Sequence, residues 1–101
     1  MNKDDFQRVA IEKLLNRLVT PNYPNIIDHI EVVYKNKDRT KYNITNLVVK
    51  VYVRDDFDKG NYDEMDNIVS GNIDWSITDA LRYLGGIRYW LEYVWPKRFD
   101  S

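Results

Sequence analysis

At 101 residues, with 44% hydrophobic and 31% charged side chains, the chain has the size of one domain and enough apolar surface to offset the entropy of ordering it. No apolar run approaches the roughly 20 residues that span a bilayer, and Met1-Asn2-Lys3-Asp4-Asp5 lacks the basic start and apolar stretch of a secretory leader. A cytoplasmic protein without membrane association is therefore expected, and the absence of cysteine excludes a disulfide framework and any thiolate metal site.

From Asp4 to Val19, Phe6, Ala10, Leu14 and Leu18 recur four apart, with Val9, Ile11 and Leu15 widening the stripe and Arg8, Glu12, Lys13, Asn16 and Arg17 around it. This spacing predicts an amphipathic helix, stopped by Pro21 and Pro24, which cannot continue helical hydrogen bonding. Between Ile26 and Tyr34 the period becomes two, with Ile30, Val32 and Tyr34 on one side and His29 and Glu31 on the other, as in a strand. The polar stretch 35–41 reads as a loop. Ile44 to Arg54 alternates again, placing Leu47, Val49, Val51 and Val53 on one face of a second strand that pairs antiparallel with the first.

After an acidic loop at 55–61, helical spacing appears at Tyr62–Val69 and again at Ile77–Leu84, the two separated by Ser70-Gly71-Asn72. Ser76 followed by Asp79 resembles a capping box for the later helix, whose inward stripe would be Ile77, Leu81 and Leu84, and Gly85 suits a left-handed helix end. From Ile87 to Trp95 the residues Ile87, Tyr89, Leu91, Tyr93 and Trp95 alternate with Arg88, Trp90, Glu92 and Val94, which predicts a third strand. A helix over the same residues is the competing expectation. The whole chain, 1–101, is thus read as one α+β domain. Its order is helix, strand, strand, helix, helix, strand, with a three-stranded sheet covered by helices on one face. The order resembles that of the type II KH arrangement, but the Gly-x-x-Gly loop with which that family grips nucleic acid has no counterpart in Ser70-Gly71-Asn72.

Charge is uneven along the chain. Residues 55–79 hold eight of the 16 acidic residues against Lys59 alone, within a mildly basic remainder. An acidic patch of Asp55, Asp56, Asp58, Asp63, Glu64 and Asp66 evokes a calcium loop. With Asp55 at position one, however, Phe57 and Lys59 occupy positions three and five and Asp66 replaces the twelfth-position glutamate. The patch is read as solvated carboxylates, and no metal or other cofactor is expected.

His29 is the single histidine, and no phosphate loop or nucleophile elbow is present. The dense carboxylates have no apolar pocket residues beside them to raise a pKa for acid–base work, so a non-enzymatic protein is expected. Subtracting the core alternation leaves an outward sheet face of Val48, Lys50, Tyr52 and Arg54 on the second strand and Arg88, Trp90 and Val94 on the third. Tryptophan, tyrosine and arginine dominate interface energetics. The leading expectation is therefore a protein-interaction or assembly module, docking another protein or a second copy of itself. Small Asn-, Asp-, Lys- and Tyr-rich chains without catalytic residues are frequent in bacteriophages, so a phage assembly or accessory protein is one expectation of origin. Two other readings stand beside it: a nucleic-acid-binding sheet face on which Tyr52 and Trp90 stack bases, and an acidic inhibitor that presents residues 55–66 to a basic partner.

Overall fold

A computed structural model describes residues 3–34, 47–57, 70–85 and 88–97. Its elements are helix α1 (Lys3–Leu18), a 3-10 turn (Thr20–Asn22), strands β1 (Ile27–Tyr34) and β2 (Leu47–Val53), helix α2 (Ser70–Leu81), a second 3-10 turn (Arg82–Leu84) and strand β3 (Tyr89–Val94). The sheet order is β1-β2-β3, with β1 and β2 antiparallel and β2 and β3 parallel. The expected α+β architecture is observed. The loop at 35–41, the start of the second strand, the helical signal at 62–69 and Ile87 lie outside the described residues.

One core joins the layers. Ile11, Leu15 and Val19 come from α1, Ile73, Ile77, Ala80 and Leu81 from α2, and Ile27, Ile30, Val32, Leu47, Val49, Val51 and Val53 from the sheet. The perfect alternation of β2, buried at every second residue, follows from its central position, where one face must pack on helices and both edges are paired. The β1 alternation is broken once. Ile27 and Ile30 are both buried because the register shifts between Ile27 and His29, and the extra residue of such a bulge turns the next side chain to the other face.

The α1 stripe is rotated from its expected position. Phe6 is 67% exposed and Leu18 42%, while Ile11, Leu15 and Val19 are buried. The reason is polar. Asn16 accepts the Ile30 N–H through Oδ1 and donates Nδ2 to the Ile30 carbonyl, both at 2.8 Å. One turn earlier Glu12 Oε1 accepts the Val32 N–H, and a further turn back Arg8 Nη1 donates to the Val32 carbonyl, both at 2.9 Å. Residues 8, 12 and 16 share one helix face, and together they bond the backbone N–H and carbonyl groups of Ile30 and Val32 on the edge of β1 that points away from β2. An uncovered edge invites pairing with other chains, and these polar side chains from around the apolar stripe act here as a surrogate strand.

Helix α2 corrects a second expectation. Ser70-Gly71-Asn72 is its first turn and not a break, and Ser76 and Asp79 lie in mid-helix, so they form no cap. The Ser76 hydroxyl instead lies 2.9 Å from the Tyr23 hydroxyl. Gly71 faces open space at a helix end, and burying Ile73 and Ile77 completely outweighs its propensity cost of about 1 kcal/mol. Leu84, expected in the inward stripe, is 46% exposed. Gly85 does end the segment left-handed, at φ 87°, where a side chain would be strained.

Residues 89–94 are a strand and the competing helix is excluded. Tyr89, Leu91 and Tyr93 pack half-buried against the core. The Tyr89 hydroxyl ties β3 to α2 by donating to the Asp74 carboxylate and bonding the Thr78 hydroxyl at 2.8 Å. Burial, then the Asp74 hydrogen bond, push the phenol well above the ordinary tyrosine range. A raised folded-state pKa stabilises the fold fully below the unfolded value, and that stability is lost as pH rises through the folded one. Thermal midpoints of the native protein should fall above about pH 10. Tyr89→Phe should cost about 1 kcal/mol near neutrality and flatten that alkaline decline; an unaltered slope would refute the linkage.

Candidate interaction face

The outward face of the sheet is organised in rows, because the two registers align side chains across all three strands. Val33, Val48 and Trp90 form one row, Glu31, Lys50 and Glu92 the next, and His29, Tyr52 and Val94 the third. Five residues expected on this face, Val48, Lys50, Tyr52, Trp90 and Val94, are thus brought together. Arg54 and Arg88 flank it, each one residue beyond its strand. The β1 contribution of His29, Glu31 and Val33 was missing from the expected set. The signal existed in the sequence, since the alternation that buries Ile30 and Val32 turns 29, 31 and 33 outward.

Trp90 is 58% exposed, an unusual position for so large a ring on a regular strand. Beside it lies an open hollow of about 470 Å³, lined among others by Val33, Val48, Lys50 and Glu92. The third row is bonded within itself. The His29 and Tyr52 rings stack at 4.3 Å and 13°, His29 Nδ1 lies 2.6 Å from Asp28 Oδ2, and the Tyr52 hydroxyl donates to Glu31 at 3.3 Å. Desolvation, together with the Glu31 carboxylate, raises the Tyr52 pKa. His29 is therefore a hydrogen-bonded strand residue on the outward face.

Its charges are balanced locally. Arg54 makes a two-point pair with Asp56 at 2.9 and 3.2 Å, and that carboxylate holds the guanidinium above its ordinary pKa. Lys50 sits between Glu31 and Glu92 in register, yet among the described residues neither Lys50 nor Glu92 joins a salt bridge.

Of the acidic patch, Asp55 and Asp56 are exposed in the turn after β2, and Asp58, Asp63, Glu64 and Asp66 lie outside the described residues. Phe57, which disrupts the calcium-loop register, is buried with its ring 6.0 Å from that of Trp95. Among the described residues there is no group of three or more metal-ligating side chains, and no helix is long and apolar enough to cross a membrane. In comparisons with known proteins, no family, no curated protein and no solved structure matches the chain.

Proposed function

We propose that this chain is a non-enzymatic protein-interaction or assembly module of the cytoplasm that docks its partner on the outward sheet face. The observation that carries the reading is Trp90, a large exposed ring beside a hollow of mixed apolar and charged lining on an otherwise regular strand. Removing such an aromatic from water is what a docking event supplies. A protein partner fits the surface better than a nucleic acid. Arg54 is engaged by Asp56, Lys50 is flanked by two glutamates, and one face of the Tyr52 ring is covered by His29. A polyanion needs unopposed cations along its track.

The test replaces Trp90 with a photo-crosslinking amino acid in the cell of origin, with the same replacement at Trp75 as control. Trp75 is 64% exposed on α2, so the two positions differ in face and not in accessibility. Protein adducts at position 90 and none at 75 are expected; a position 90 that captures nothing overturns the reading. Trp90→Ala should leave the unfolding midpoint nearly unchanged. Leu91→Ala, at a half-buried inward position, should cost about 1 to 3 kcal/mol, and equal losses would contradict the outward placement of Trp90.

A further inference from the structure

Resting on that docking reading, we infer that the partner is a second copy of this chain, seated face to face on a two-fold axis that runs parallel to the strands above the seam between β2 and β3. The register of these strands makes the face its own complement. Their register sets Val48 beside Trp90, Lys50 beside Glu92 and Tyr52 beside Val94. A two-fold along the strand direction keeps each row level and exchanges the strands. It therefore lays Lys50 over the partner copy's Glu92 and Glu92 over the partner copy's Lys50, as an isologous contact requires. The same operation brings Trp90 over Val48 of the other copy, so each exposed ring fills the hollow beside the other.

Charge and shape are thus satisfied by one operation. The aligned stacking is also the usual geometry of sheet-on-sheet packing.

The size of the face sets the strength. The overlapping strands β2 and β3, seven and six residues long, about 3.3 Å per residue and about 4.8 Å apart, give a patch of roughly 200 Å², well below the roughly 800 Å² per partner of a standard stable interface. A weak, reversible dimer follows, visible only at high concentration.

Sedimentation of the purified chain between about 10 µM and about 1 mM should show a concentration-dependent dimer. Trp90→Ala should weaken it at least about tenfold. Lys50→Glu and Glu92→Lys should each weaken it by about tenfold, since each places like charges against one another twice. An equimolar mixture of these two variants should dimerise again, because the heterodimer restores opposite charges at both contacts. No effect confined to one chain produces that recovery, and circular dichroism of each variant confirms that it is folded.

A wild-type chain that stays monomeric at about 1 mM, or a mixture that fails to recover, overturns the inference. If the native chain is monomeric while position 90 captures a different protein in cells, the docking face stands and the self-pairing is refuted. If position 90 captures nothing, the docking reading falls as well.

Discussion

Ile77→Ala should destabilise the protein by about 2 to 5 kcal/mol, and Leu84→Ala by less than about 1 kcal/mol. Ile77 is fully buried between helix and sheet, whereas Leu84 is 46% exposed in the 3-10 turn. Truncating the first loses transfer free energy and leaves a cavity; truncating the second does neither. A loss of this size is a large share of the 5 to 15 kcal/mol that holds a typical domain together. Urea midpoints of the two variants at constant m-value decide the matter. Equal losses would mean that the helix is the short one implied by the Ile77, Leu81 and Leu84 spacing, with its start at Ser76.

Asn16→Ala should cost on the order of 2 kcal/mol although the side chain is polar, lies on a helix and is only part-buried. Its amide both accepts from and donates to Ile30, and it also donates to the Glu12 carbonyl and accepts from the Thr20 hydroxyl, each at 3.0 Å. Removal strips one surrogate pairing from the sheet edge.

Asn16→Asp is the sharper probe, because it preserves shape and deletes only the two donors, setting a carboxylate against the Ile30 and Glu12 carbonyl oxygens. That repulsion raises the folded-state pKa of the new carboxyl, so the penalty should be largest near neutral pH and shrink as the pH falls through the carboxyl range. A penalty independent of pH would refute the hydrogen-bond assignment. The exposed β1 edge should also make Asn16→Ala more prone to aggregate than a core variant of equal stability, which light scattering at matched fraction folded would reveal.

These two predictions mark where sequence reasoning held and where it stopped. The strands were legible because their period of two is a local property: Val49 and Val51 face inward wherever the strand sits in a sheet, and Tyr89, Leu91 and Tyr93 followed the same rule. The outward positions of Val48, Lys50, Tyr52, Trp90 and Val94 came from that parity. Gly85 was legible as well, since a left-handed residue is a local demand.

What the chain could not disclose locally was decided by tertiary contact. The rotation of α1 is tied to the distant backbone of Ile30 and Val32, whose edge groups bond Arg8, Glu12 and Asn16. The continuation of α2 through Gly71 depends on a pocket for Ile73, because burying that side chain outweighs a weak propensity penalty. The direction of β3 is invisible in its own alternation, which reads the same parallel or antiparallel. Direction is set by which way the chain enters the sheet after α2, and direction and register together put Val48 beside Trp90 and Lys50 beside Glu92 in the rows of the candidate face. Side-chain parity is a property of neighbouring residues and is written in the sequence; rotation, register and strand direction are properties of surfaces meeting, and they arise when the layers pack.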